Sequence, residues 1–414
     1  MKHIYLLLLV LVLLVSCTVP SLAEGEVPEN LELVCWNGFT AVDGEVLLDI
    51  CDEYNKTNPY GTTIVNDIME WGTFNEKLPL AIASNEAPDF VICSNSYAGM
   101  YVKNNQFRDL SDFWDFEGVD RSDFQEAAIE MGNYFGVQVG LPMQVITHYF
   151  YWDKDIFAEY GLDPETPPQS WEEIHDLALM MTDRTRNRSG FLLPQNSWIT
   201  ALYAIQAFGG DVINDETGEV LLDSPESLEA FYWMKDLYDN NVSPLDIDDN
   251  TYYAGNTAMW INGPWIIKGL RDAGINYGVC SVPAGPGGQH AQAIQAFWSI
   301  PVTTPEEKIP AIYEFIKYWT STDVVKRWSM ECGTPPYLFS TLEDPEVAAD
   351  ETILALSDAV SYAKVIMKNL TVNPSTVWMD YLYPCLQEIA DGGDVDAIVK
   401  ERAEALRAKM PDIT

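Results

Sequence analysis

Gly255-Asn256-Thr257-Ala258-Met259-Trp260-Ile261-Asn262-Gly263-Pro264-Trp265 is the segment from which the rest of the chain is best read. Its Asn262-Gly263 pair is a turn, and Pro264-Trp265 opens a helix with proline at its start, where a missing N–H costs nothing. An apolar stretch, a polar turn and a large aromatic at a helix start therefore fall together.

Outward from that segment, strand-like and helix-like stretches alternate without internal repeats. Leu31 to Trp36 reads as a short strand ending in a Trp-Asn-Gly-Phe loop, and Val42 to Asn55 as a helix. The turn Ala87-Pro88 precedes a strand at Asp89 to Cys93, which ends in the polar loop Ser94 to Tyr97. Ser170-Trp171-Glu172-Glu173 is a capping box, and Ser224-Pro225 opens a helix to about Tyr238. The last helix begins near Asp394 and lines up Val395, Ile398, Val399, Leu406 and Met410. This alternation predicts an α/β chain of βαβ units with parallel sheets. Such sheets bind ligands beyond the carboxyl ends of their strands, which makes the Trp36 to Phe39 and Ser94 to Tyr97 loops site candidates.

Composition sets the outer bounds. The 414 residues hold 63 acidic and 23 basic side chains, a net charge of -40, with 47% apolar residues. The length calls for more than one domain, and the apolar content is enough for packed cores. Charge of this sign excludes nucleic-acid binding and reads as a solvated exterior.

The apolar run Ile4–Val15, behind Lys2, is too short to span a bilayer, which takes about 20 residues, and reads as a signal-peptide core. Leu14-Val15-Ser16-Cys17 resembles a lipobox, with Cys17 the lipidated residue; Ser21-Leu22-Ala23 offers an ordinary cleavage site instead. Residues 1–23 are thus expected to be leader and tether on an exported protein, anchored by lipid or periplasmic. Beyond Cys17 lie Cys35, Cys51, Cys93, Cys280, Cys332 and Cys385, none in a CxxC, which read mostly as buried free thiols.

Catalytic signatures are absent. The four histidines form no zinc motif, no GxSxG occurs, and Gly285-Pro286-Gly287-Gly288 reads as a flexible connection rather than a phosphate loop. Asp246 to Asn250 starts like a calcium loop, but Thr251 stands where the turn glycine belongs. No metal or other cofactor is expected. With 63 acids, a carboxylate pair carries no information about glycosidase chemistry. The 13 Trp and 21 Tyr, several beside Asn, Gln, Gly or Pro, suit carbohydrate, whose ring faces pack on aromatics while amides meet the hydroxyls.

Several segments in order resemble the family 1 extracellular solute-binding proteins of sugar ABC transporters, the maltose-binding-protein-like group. Gly255 to Trp265 matches its G-x-x-A-M-x-x-x-G-P-W signature, followed by Tyr277-Gly278-Val279 and Pro283. Tyr151-Trp152-Asp153-Lys154-Asp155-Ile156-Phe157 resembles Y-Y-N-K-D-L-F, and Pro168 with Ser170 to Glu173 resembles P-x-T-W-x-E. Ala87-Pro88-Asp89, Phe208-Gly209-Gly210 and Gly333-Thr334-Pro335 add to the match. Asp153 in place of Asn, and Ile294 to Phe297 in place of paired glycines, are departures.

The resemblance implies a two-lobe periplasmic-binding-protein (Venus-flytrap) fold with a hinge of crossing strands between the lobes. Residues 30–145 and 303–345 would form lobe one, and 146–302 and 350–414 lobe two. It also implies a monomeric receptor that is not an enzyme, closing over a mono- or oligosaccharide and delivering it to ABC permease subunits. Trp265 falls on the family's sugar-stacking tryptophan, beside Asn262 and Gly263; Trp36, Asn37 and Asn95 fall in cleft loops. Gln144 and Trp298 fall at the crossovers and Trp378 on a C-terminal cleft aromatic; Tyr337 is a further ligand-binding candidate. Trp71, Asn196 and Trp198 are further candidates. A polyamine receptor and a secreted glycoside hydrolase are the alternatives.

Overall fold

The computed structural model describes residues 27–413 apart from 41, 216, 361 and 369–373. The leader, Cys17 and the Ala23 site lie outside the described residues. Among the described residues ten strands follow in chain order: β1 (Glu32–Asn37), β2 (Thr63–Ile68), β3 (Phe90–Ser94), β4 (Asn133–Tyr134), β5 (Val137–Gln138), β6 (Leu141–Ile146), β7 (Tyr149–Asp153), β8 (Met259–Asn262), β9 (Tyr277–Cys280) and β10 (Ile294–Ser299).

Two sheets organise the molecule, with helices packed on each. The first runs β2-β1-β3-β10-β6 and the second β8-β7-β9, while β4 and β5 form a small separate ladder. β1 pairs in parallel with β2 and β3, as the βαβ reading requires. β10 is antiparallel to both β3 and β6. The second sheet is antiparallel throughout, which corrects the expectation of parallel sheets alone. Strand direction there is set by the path of the chain: β6 runs into β7 through only Thr147 and His148, so β7 enters the second sheet by a direct crossing without a helix.

β10 corrects the expected grouping as well. The resemblance groups residues 146–302 in lobe two, but β10 lies in the first sheet, so the chain recrosses between Cys280 and Ile294. Alternation along β10 then places Phe297 in one core layer, beside Phe74 and Tyr101, and Trp298 in the other, beside Phe90 and Phe315.

Local signals translate directly. Ser170 Oγ accepts from the Glu173 N–H, although Glu173 reaches back to the Gln169 N–H rather than to that of Ser170. Ser224 Oγ caps the helix Pro225–Asp239. Thr251, out of place in a calcium loop, completes a capping box with Asp248. Asp153 accepts from the Asp155 and Ile156 N–H groups, which gives the acid at that departure position a capping role. The Gly285 to Gly288 stretch is a closed turn bonded at both ends, with Gly287 N–H donating to Ala207 O at 2.7 Å, rather than a flexible connection. Residues 95–97, expected as loop, are the first turn of the helix Asn95–Lys103.

Candidate functional site

Where the chain crosses between sheets, the hydroxyl of Tyr203 gathers both crossing segments. It lies 3.1 Å from Thr147 Oγ1 on the first crossing and accepts from the Gln292 N–H at 3.0 Å on the second. Asn95 Nδ2 donates to Ala293 O at 2.8 Å, tying the end of β3 to the same recrossing segment. Few residues therefore carry the chain between the sheets, which is what a hinge requires.

Beside the crossings lies a cleft pocket of about 40 Å³, with room for a water or so and none for a sugar ring. Both sides build it: Asp43, Val46 and Glu331 from helices on the first sheet, Gln144 from β6, and Trp265 and Lys268 from the second. Burial pushes the Asp43 carboxyl above its ordinary range. Larger hollows of about 550, 590 and 600 Å³ lie elsewhere, but none draws on both sheets. Ligand entry between the sheets requires the walls to part.

Aromatic rings extend from this pocket into the second lobe. Trp265, 42% exposed, meets the His148 ring edge to face at 5.7 Å. His148 meets Trp198 at 5.3 Å, and Trp198 lies parallel to Trp378 at 5.4 Å and 13°. The start of this series is fixed by the segment Gly255 to Trp265. Asn262 Oδ1 accepts from the Gly263 N–H at 2.8 Å, Tyr151 Oη donates to Gly263 O, and Pro264 begins the helical turn. The indole of Trp265 then lies so close over Gly263 that a Cβ there would sit 1.9 Å from it.

Residues 40–326, more than half of the chain, match the family model for bacterial extracellular solute-binding proteins. This chain belongs to that family. The maltotriose-binding protein of Pyrococcus abyssi is 23% identical over 394 residues, covering 92% of this chain and 82% of the relative. Among solved structures, the GacH receptor of Streptomyces glaucescens, studied unliganded and with acarbose, superposes with a TM-score of 0.80 at 22% identity. That match covers 94% of this chain and 100% of GacH. An ABC transporter solute-binding protein of Thermotoga lettingae bound with α-D-tagatose gives 0.79 at 21%, covering 92% and 100%. The two-lobe fold is that of these periplasmic solute-binding proteins.

Within this solute-binding protein the candidates divide. Trp265 and Gln144 face the cleft pocket, and Gln144 Oε1 also accepts from the Trp328 indole N–H at 3.2 Å. Asn262 and Gly263 shape the turn beneath Trp265. Trp378 is 4% exposed yet joins the aromatic series through Trp198. Asn196 lies at the surface, bonded to the Ile247 backbone.

In the first lobe Asn37 is fully buried, donating to Asn66 and accepting from the Phe39 N–H, and Asn95 is bound to Ala293. Trp36 and Trp71 are half-buried against the core around Phe74. Trp298 is a correction: with no exposure it packs among Phe90, Phe315 and Trp319, because the alternation of β10 turns it into the core. Tyr337 is another, 2% exposed and stacked on Phe124. Sequence reasoning did not single out Asp43 at the cleft pocket, or Tyr203 and His148 at the crossings. The signal for Asp43 was its place in the first turn after the Trp-Asn-Gly-Phe loop; His148 had only its position between two apolar strands.

All six described cysteines are unpaired thiols. Among the described residues no group of three or more His, Cys, Asp or Glu is arranged to hold a metal, and no helix is long and apolar enough to cross a membrane.

Proposed function

We propose that this protein captures an oligosaccharide between its lobes and presents it to the permease subunits of an ABC importer. In this reading it acts as a monomer, is tethered outside the cytoplasmic membrane through lipidated Cys17, and catalyses no reaction. Lobe one takes residues 30–146 and, after the recrossing, 294–345; lobe two takes 149–280 and the helices from Glu351 onward. Closure is a population shift, driven by ligand contacts that both lobes make only when they meet.

The observation that carries the ligand class is the aromatic series Trp265, His148, Trp198 and Trp378 beside a pocket lined with carboxylates, an amide and Lys268. Indole faces take the C–H faces of pyranose rings, and the polar groups take hydroxyls. The name of the Pyrococcus relative supports the same class. Intrinsic tryptophan fluorescence titrated with maltose, maltotriose, maltotetraose and mannotriose tests it. A saturable emission change with at least one of them is expected. Silence toward all sugars, with a clear response to a polyamine or another solute, would overturn the assignment.

A further inference from the structure

His148 is 1% exposed, and neither of its ring nitrogens has a hydrogen-bond partner. A neutral imidazole carries one N–H donor and one acceptor nitrogen, and a buried polar atom left unmet is destabilising. Packing accounts for the ring but not for its nitrogens. The rings of Trp198, Tyr203 and Trp265 surround it edge to face at 5.3, 5.7 and 5.7 Å, contacts that a phenylalanine would make equally well. Tyr203 does not answer it, because its hydroxyl is engaged with Thr147 and Gln292. The residue stands on the two-residue crossing between the sheets, with its ring against the exposed Trp265.

We propose that His148 is a specificity-determining ligand contact. When the lobes open and a sugar enters against Trp265 and Trp198, the imidazole donates to one ligand hydroxyl and accepts from another. This rests on the carbohydrate reading above. A hydroxyl both donates and accepts, but the two ring nitrogens point in widely diverging directions, so the hydroxyls that meet them sit on neighbouring pyranose units rather than on one vicinal pair. A cationic solute has no acceptor for the N–H, and an apolar one leaves both nitrogens unmet. Burial holds the ring neutral, lowering its pKa to about 3.

The test uses the full chain and the tightest binder among maltose, maltotriose and mannotriose, measured by calorimetry. His148→Phe keeps an aromatic ring in the same socket and removes both nitrogens. It should bind that sugar at least tenfold more weakly, yet melt at the same temperature as wild type or higher at pH 7. Among monodeoxy analogues of the sugar, at least one should lose about tenfold in wild type and nothing further in the variant. Trp265→Ala is the control on the carbohydrate reading. Undiminished binding by His148→Phe while Trp265→Ala is weakened overturns the His148 assignment and leaves that reading intact. A wild type that binds none of these sugars overturns both. Should His148→Phe fail to fold, the ¹⁵N shifts of the His148 ring in wild type decide: movement on saturation with sugar supports the contact, and unchanged shifts overturn it.

Discussion

The two lobes carry the same small device and use it differently. In lobe one β1 ends in Asn37-Gly38, and the indole of Trp71 lies over the glycine; in lobe two β8 ends in Asn262-Gly263, and the indole of Trp265 does the same. In each, the asparagine side chain accepts a backbone N–H just ahead of it. Around Trp71, however, Phe39 and Phe74 close in at 5.9 and 5.6 Å, and Asn37 is sealed by Asn66. Trp265 stands 42% exposed with His148 at its edge. A turn that presents an aromatic leaves a platform for a ligand only where the neighbours leave a face open.

Truncating the tryptophans tests this contrast most severely. Trp265→Ala should cost about 100-fold in sugar affinity, the scale of a central contact, and less than about 1 kcal/mol of stability. Trp71→Ala should do the reverse: about 2 kcal/mol of stability lost from a half-buried indole, with affinity within about threefold of wild type. Calorimetry and urea unfolding read the two quantities separately. Matching losses of affinity would mean that both devices are ligand platforms.

The pH dependence of stability separates the lobes next. The His148 pKa falls from about 6.5 in the unfolded chain to about 3 in the fold, so between these values the unfolded state holds the extra proton. Stability from keeping this ring neutral is complete above pH 6.5 and is lost as pH falls toward 3. At pH 5 the loss is about 2 kcal/mol, from 1.36 kcal/mol per pH unit. His148→Phe removes the effect, so its stability advantage over wild type should grow by about that amount between pH 7 and pH 5. A constant difference from pH 7 to pH 5 would show that the ring is not held in a dry pocket.

The contrast also explains what was legible beforehand. β1, β3, the Ser170 and Ser224 helix starts and the Asn262 turn are written in neighbouring residues, through caps, proline and glycine, and they stand where expected. The antiparallel second sheet and the return of β10 to the first are not local: nothing within Ile294–Ser299 states which strands it will join. The same limit applies to the site. Trp265 could be named as a candidate from the family signature it completes, whereas Trp198 and Trp378 become one stack only through folding across the lobe. Asp43 was hidden among 63 acids, and a lone histidine between apolar strands looks like core until its nitrogens are found unmet. Trp298 and Trp265 are equally aromatic in sequence; only strand alternation turns one inward.

The smallest and sharpest test changes one methyl group in each lobe. Neither Gly38 nor Gly263 has a positive φ, so alanine meets no backbone strain at either. A Cβ would lie 2.2 Å from the Trp71 ring in the first case and 1.9 Å from the Trp265 ring in the second, so each indole must move. Trp71 is wedged between Phe39 and Phe74 and cannot turn without disturbing the core, so Gly38→Ala should cost about 1–2 kcal/mol of stability and little affinity. Trp265 has solvent on its open face and can swing into the cleft. Gly263→Ala should therefore leave stability within about 0.5 kcal/mol while displacing the platform, for a loss of about tenfold in sugar affinity, or about 1.4 kcal/mol. If Gly263→Ala instead destabilised the fold as much as Gly38→Ala, Trp265 would be a packed residue like Trp71, and the distinction between the lobes would fail.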